Sequence, residues 1–227
     1  MIKSRIAAAA ALLAVAGAAH ADMSVTAGLV SDYDWRGISK SGHDGAFQLG
    51  GTYSFDSGFY VGAQGSTLGN AGQAEINANA GFAGEFSNSG VGYDLGATYY
   101  TYTEDDDANF VELSAGLNYG VLSGKVSYAP NFYGDYGDDN AFYVQGNAAV
   151  PMGNGFNFLA HVGYSFGDGV KDFYAGDNYF NWSAGVGYDV GNFSTYLKYA
   201  DGSDVASGAS SESRFIFGIS TTLPWRN

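Results

Sequence analysis

Residues 156–166 read FNFLAHVGYSF. In an extended chain successive side chains point to opposite faces. Phe156, Phe158, Ala160, Val162, Tyr164 and Phe166 therefore share one face, and Asn157, Leu159, His161, Gly163 and Ser165 share the other. Period two specifies a strand with one apolar and one mainly small or polar face. A slip of one residue in pairing would exchange the two faces, so register is strongly specified.

The same rule reads outward along the chain. WSAGVGYDV, 182–190, sets Trp182, Ala184, Val186, Tyr188 and Val190 against Ser183, Gly185, Gly187 and Asp189, and VELSAGLNY, 111–119, repeats the pattern. Twelve strands are expected, at 24–36, 46–55, 59–66, 74–83, 91–100, 111–119, 122–130, 141–150, 156–166, 181–190, 193–200 and 214–225. Their connections sort by parity: DSG, GEFSNSG, GV, PMGNG and GN are short, TLGNAGQ is of medium length, and the stretch around SGHDG, TYTEDDDAN, NFYGDYGDDN, GDGVKDFYAGDNYF and DGSDVASGASSES are long. An antiparallel up-and-down barrel with short periplasmic turns and longer outer loops sorts its connections this way. The predicted fold is all-β, a transmembrane barrel of about 12 strands.

The contents of the two faces decide which one meets lipid. The polar face carries Glu75, Asp94, Glu112, Lys125, Asp189 and Lys198, and the apolar face carries no charge. A soluble surface would carry charges of both signs, whereas Arg or Lys at mid-depth on a lipid face costs about 2–4 kcal/mol. Rings gather near the strand ends: Phe55, Phe59, Tyr119, Phe156 and Phe193 by the short turns, and Trp35, Tyr99, Tyr128, Phe142, Phe166, Trp182, Tyr199 and Phe215 by the long loops. Two aromatic girdles match the two interfaces of a bilayer.

The chain begins with Lys3 and Arg5 ahead of an apolar run and then Ala19-His20-Ala21, which reads as a secretory signal peptide over 1–21, with the barrel as one domain over 22–227. Removing 21 of the 227 residues takes Lys+Arg from 9 to 7 against 23 Asp+Glu, a net charge of −16. So acidic a chain repels nucleic acid. With no cysteine, it draws nothing from disulfides.

At 29–62, LVSDYDWRGISKSGHDGAFQLGGTYSFDSGFYVG, the sequence resembles the TorF family of porin-type proteins, also known as Gcw_chp, through Ser31, Asp32, Tyr33, Trp35, Arg36, Gly37 and Ser39. Further resemblance runs through YDLGATYYTYT (93–103), FVELSAGLNYG (110–120), YAPNFYG (128–134) and LAHVGYSFGDG (159–169). The resemblance implies an outer-membrane barrel with a channel role. It brings no defined substrate and no catalytic residue.

These readings converge on a porin of the cell outer membrane, letting small hydrophilic solutes or ions diffuse passively with weak cation selectivity. The alternative is a closed structural or surface-interaction barrel whose acidic outer loops do the work. Residues expected to line the pore or its mouth are Asp32, Asp34, Arg36, Glu75, Asp94, Glu112, Lys125, His161 and Lys198. Tyr33 and Trp35 are expected to face the bilayer interface, and Arg36 either pairs with Asp34 to pin the first long loop or sets a charge at the constriction. Glycines on the inward side, among them Gly62, Gly81, Gly163 and Gly185, are expected to leave room in the lumen.

No catalytic, cofactor-binding or metal-ligating set emerges. Residues 201–212 begin with Asp and end with Glu, but Val205 at the fifth position and Gly208 at the eighth break the EF-hand pattern. The expected partners are outer-membrane lipid and lipopolysaccharide, the permeating solutes and the barrel-assembly machinery, with no cofactor.

Overall fold

A computed structural model describes residues 22–69, 72–137, 139–174, 176–203, 205 and 212–225. The expected signal peptide and most of the loop at 201–212 lie outside the described residues. Twelve strands form the barrel: β1 (Asp22–Val30), β4 (Ala46–Ser54), β5 (Phe59–Thr67), β6 (Ala74–Glu85), β7 (Val91–Tyr102), β8 (Phe110–Tyr119), β9 (Leu122–Ala129), β10 (Ala141–Gly153), β11 (Phe156–Phe166), β12 (Tyr179–Val190), β13 (Phe193–Gly202) and β14 (Arg214–Leu223). Two short strands, β2 (Asp34–Trp35) and β3 (Ile38–Ser39), lie between the first two, and a helix, α1 (Asp168–Phe173), precedes β12.

Every barrel strand pairs antiparallel with its neighbours in chain order, and β1 closes on β14 from Val25 opposite Leu223 to Val30 opposite Gly218. Closure satisfies the backbone polar groups of every strand without leaving an edge, a condition that lipid imposes on any spanning sheet. Along β11, Phe156, Phe158, Val162 and Tyr164 are exposed while Gly163 and Ser165 are buried, as the alternation requires. Leu29, Leu49, Ile76, Leu95, Leu117, Leu197 and Phe217 extend the exposed apolar belt around the barrel. No outward strand position between the two aromatic girdles carries a charge. This belt is a lipid-facing surface.

The girdles form as packed rings. At the turn end, Phe55 lies 4.8 Å from Tyr53 and 5.5 Å from Phe59, and at the loop end Tyr199 lies 5.7 Å from Trp182 and 5.2 Å from Phe215. One expected girdle member is elsewhere. The first barrel strand stops at Val30, not at residue 36, and the chain then turns inward, so that Tyr33 and Trp35 are buried inside the barrel.

The interior is divided along the axis. Toward the short turns, inward Thr52, Asn79, Asn118, Ser123, Asn157, Ser194 and Ser220 are half-buried and polar. Toward the long loops, inward Ala46, Phe110, Ala129, Ala141, Tyr179, Ala200 and Ile216 are buried, because the first loop, the 130–140 loop and α1 fold over and into the mouth. This mouth holds the apolar core of a molecule whose other large apolar surface faces outward.

Candidate functional site

The inward segment is a miniature hairpin in which Trp35 faces Ile38 and Asp34 faces Ser39. Arg36 and Gly37 form its tip with φ of 56° and 85°, and two positive φ values in a two-residue loop make a type I′ turn. Gly37 is required twice over: a Cβ there would fall 2.6 Å from the Cβ of Asn181 on β12. Arg36 holds a left-handed conformation that costs a non-glycine residue about 1–2 kcal/mol. Its side-chain contacts offset that strain.

Asp32 organises the base of the loop. Its carboxylate accepts from the Ser39 hydroxyl at 2.5 Å, faces His43 Nδ1 at 3.1 Å and pairs with Arg214 Nε at 2.6 Å. Two short-range bonds complete the fold of the loop: the Tyr33 amide donates to Ser41 Oγ at 2.8 Å, and the Lys40 amide donates to the Tyr33 carbonyl at 2.8 Å.

Four further ionic contacts then bolt the hairpin and its flank to the barrel wall on different sides. Asp34 receives Lys198 Nζ at 2.7 Å from β13 and Arg214 Nη2 at 2.9 Å from β14. Arg36 pairs with Glu112 on β8, and Lys40 with Glu75 on β6. Glu75 is fully buried, and it also accepts from Tyr33 Oη and Asn77 Nδ2, each at 2.8 Å. A buried carboxylate with several donors satisfied is the arrangement that avoids the large cost of an unpaired internal charge.

The loop's own groups respond to this setting. Burial opposes charge on Asp34, but Lys198 and Arg214 outweigh it and hold the carboxyl below its ordinary value. Burial likewise opposes charge on Arg36 and Lys40, yet Glu112 and Glu75 outweigh it and keep both cations above their ordinary values. Tyr33 is pushed up by burial and by Glu75, which fixes it as a neutral donor.

Rings enclose these cations. The Arg36 guanidinium lies 4.3 Å from the Trp35 ring centre and 4.4 Å from that of Tyr143, and Lys40 Nζ lies 4.2 Å from Trp35. Trp35 stacks at 6.1 Å on Phe132 of the 130–140 loop, and Tyr133 stacks at 3.8 Å on Phe173 of α1. The hairpin is thus held from the side by ion pairs and from the outside by an aromatic cap.

All nine residues expected at the pore or mouth face the interior, though not as one group. Asp32, Asp34, Arg36, Glu75, Glu112 and Lys198 converge on the hairpin. Asp94 and Lys125 lie deeper on β7 and β9. His161 makes no ion pair among the described residues and sits in a polar knot beside the hairpin, its Nδ1 2.7 Å from Asn147 Oδ1 and its Nε2 3.0 Å from both Tyr143 Oη and Asn181 Nδ2, the two residues that also meet Arg36 and Gly37. Of the two readings of Arg36, the pair with Asp34 is not formed, because the type I′ turn carries Arg36 to Glu112 and leaves Asp34 to β13 and β14.

The expectation that inward glycines leave room is corrected at Gly81, Gly163 and Gly185, while an added Cβ would meet nothing closer than 3.5 Å at Gly50 and 3.4 Å at Gly116, which also belong to the expected set. A Cβ at Gly163 would fall 2.1 Å from Tyr143 Oη, one at Gly81 2.4 Å from Tyr60 Oη, and one at Gly185 2.7 Å from the Lys198 Cβ. Tyrosine side chains lie across Gly81 and Gly163, and at Gly185 the backbone of β13 is nearer still, with Leu197 O at 2.3 Å.

A family model described as "Bacterial protein of unknown function (Gcw_chp)" matches residues 14–219. The chain belongs to the Gcw_chp family. No curated protein sequence matches it. Among solved structures it is similar to a KdgM porin at 13% identity, with a TM-score of 0.59 over 87% of this chain and 98% of that one. It is also similar to a KdgM porin in complex with disordered oligogalacturonate (12% identity, TM-score 0.57, 88% and 97% covered). A NanC porin gives 12% identity and a TM-score of 0.56 over 88% and 98% of the two chains. At these identities the likeness concerns the fold alone, a closed antiparallel barrel.

Two cations at the first loop of this Gcw_chp protein, Arg214 and Lys40, are not among the nine expected residues. Arg214 sits immediately before outward Phe215, so its inward orientation was available from parity. Lys40 lies in a loop, where no periodicity reports direction. Nor does any sequence signal show that Tyr100, Phe110, Phe132 and Tyr133 would meet over Trp35.

Proposed function

We propose that the protein is a narrow outer-membrane channel for ions and small hydrophilic solutes, weakly selective for cations, with the ion-paired hairpin as its constriction. The observation that carries this reading is the polar inner half of a closed barrel, leading directly onto a ring of charge at Asp34, Arg36, Glu112 and Lys198. The likeness of the opening motif to TorF porins supports it.

Selectivity follows from where acids remain without a cation facing them. At the hairpin the charges balance, Asp32, Asp34, Glu75 and Glu112 against Arg36, Lys40, Lys198 and Arg214. The excess lies outside, in Glu104, Asp105, Asp106, Asp107, Asp135 and Asp139. Carboxylates at an entrance concentrate cations. A polyanion such as the neighbour's oligogalacturonate would be repelled from this mouth. Export with cleavage after Ala21, insertion by the barrel-assembly machinery and divalent-ion bridging of the acidic loops to lipopolysaccharide complete the reading.

The second reading, a closed barrel, is favoured by the packing of the mouth, where Ser41, Glu75 and Ile216 have no exposed surface. Planar-bilayer recording of the refolded protein separates the two. The channel reading expects discrete steps that grow when Arg36 and Lys40 are both replaced by methionine, with a reversal potential favouring cations across a salt gradient. Silence from both proteins establishes the closed barrel, and an anion-favouring potential removes the selectivity.

A further inference from the structure

Beside the hairpin, on the outer surface, the structure forms a cup that the channel reading does not use. Its volume is about 310 Å³, and its walls come from four separate connections. Leu68 and Ala74 flank the β5–β6 loop, Tyr102 and Asp105 lie at the start of the β7–β8 loop, Tyr136 belongs to the 130–140 loop, and Phe173 ends α1. The volume is at the lower end of what small-molecule sites occupy.

The walls combine two features. Tyr102, Tyr133, Tyr136 and Phe173 supply aromatic surface, with Tyr133 and Tyr102 stacked at 5.9 Å. Glu104 and Asp105 supply negative charge at the same wall, and Tyr136 Oη donates to Asp105 Oδ1 at 3.2 Å, which ties the two loops together. The hydrogen bond to Asp105 raises the Tyr136 hydroxyl, which keeps it a neutral donor. Among the described residues no basic side chain lines the cup, but Lys40 Nζ lies 5.1 Å from the Tyr102 ring centre and 5.5 Å from that of Tyr133, so the ring surface left to a ligand is chiefly that of Tyr136, which is 55% exposed.

We propose that this cup binds small organic cations that carry an ammonium or guanidinium group on an apolar or aromatic body. The exposed Tyr136 ring attracts a cation through its quadrupole, Glu104 and Asp105 attract it by charge, and Leu68, Ala74 and Ala108 accept its apolar body. Bare metal ions are a poorer match, because calcium takes six to eight oxygen ligands and only two carboxylate side chains line the wall. An anion of the same shape meets only repulsion. The inference does not depend on conduction, since binding is read on the folded barrel itself.

The test is calorimetry on the full-length refolded protein in non-ionic detergent at low salt, with phenethylammonium and phenylacetate as probes of like shape and opposite charge. Saturable binding of the ammonium alone is expected, weakened about tenfold or more, 1.4 kcal/mol by the usual conversion, in a Glu104→Gln/Asp105→Asn variant and also in Tyr136→Ala. Glu85→Gln/Asp22→Asn, which removes two charges at the opposite rim, should leave binding unchanged. Barrel integrity of each variant is checked by heat-modifiable gel mobility. Three results would each overturn the proposal: equal binding of phenylacetate, binding indifferent to Glu104, Asp105 and Tyr136, or no saturation by any ammonium probe. Magnesium ions competing as effectively at equal concentration would overturn the choice of an organic cation.

Discussion

Replacing Arg36 by methionine probes the latch most directly. Methionine keeps a long apolar stem against Trp35 and Tyr143 and removes only the charge and its donors. Glu112, whose side chain is 4% exposed, then retains a buried carboxylate facing no cation from the hairpin. Breaking a buried pair from one side costs about 3–5 kcal/mol. Loss of the two ring contacts, at 4.3 and 4.4 Å, adds about 1 kcal/mol. At 1.4 kcal/mol per power of ten, the docked hairpin should loosen by roughly three to four powers of ten relative to its open state. The Asp34 and Lys40 contacts stay in place, so the outcome is local opening and not loss of the barrel. Hydrogen exchange at the Lys40 amide, which donates to Tyr33 at 2.8 Å across the hairpin, reads this opening. Glu112→Gln alone should act in the same direction, and the double variant should lose much less than the two single effects added together, because neither charge is then stranded. If Arg36→Met leaves the Lys40 amide as protected as before, or the two effects simply add, Arg36 and Glu112 do not form the latch.

Three further outcomes follow from other parts of the molecule. Val162→Arg puts a charge on the lipid side of β11, where Val162 is 51% exposed, and should cost about 2–4 kcal/mol in urea titrations of the vesicle-inserted barrel, whereas Val162→Leu should be nearly neutral. Gly163→Ala must displace Tyr143 from its contacts with His161 and Asn181 and should cost about 1–3 kcal/mol; Gly50→Ala, whose nearest neighbour would be 3.5 Å away, should not, and gel mobility against temperature will tell them apart. Asp34 has a lowered carboxyl, so its stabilisation is complete above the ordinary carboxylate pKa and is lost as pH falls below it. Tryptophan fluorescence from the hairpin should therefore hold constant from neutral pH down to the ordinary carboxylate range and change only beneath it; a transition near pH 6 would contradict this assignment.

The barrel was legible because lipid and water impose opposite demands on alternate residues. In β11 and β12 each outward position is apolar or alanine, and a period of two leaves no other consistent arrangement. Loop parity supplied the topology, since six long and five short connections alternate around the barrel. The helix α1 was not legible, because a six-residue element at a barrel mouth is too short to display helical periodicity. The expectation failed most at residues 31–36, where Asp32-Tyr33-Asp34-Trp35-Arg36 also alternates, though not as part of a barrel strand.

The reason for that failure also explains why the segment is built as it is. Alternation reports two unlike environments, and in a spanning strand these are lipid and lumen. Inside the mouth they are instead an aromatic cap and a charged wall, with Trp35 directed to Phe132 and Tyr133 and Asp34 to Lys198 and Arg214. Charge usage separates the cases. A strand end in the headgroup region needs no matching cation, whereas burying Asp32 and Asp34 requires one for each. Of the seven Lys and Arg residues beyond position 21, five, namely Arg36, Lys40, Lys125, Lys198 and Arg214, point into the barrel. A chain this acidic would gain solubility from none of them there. Their concentration in the interior follows from the acids placed on the hairpin and on the wall facing it, and it makes the hairpin a part of the barrel that is fixed by electrostatics where the strands are fixed by hydrogen bonding.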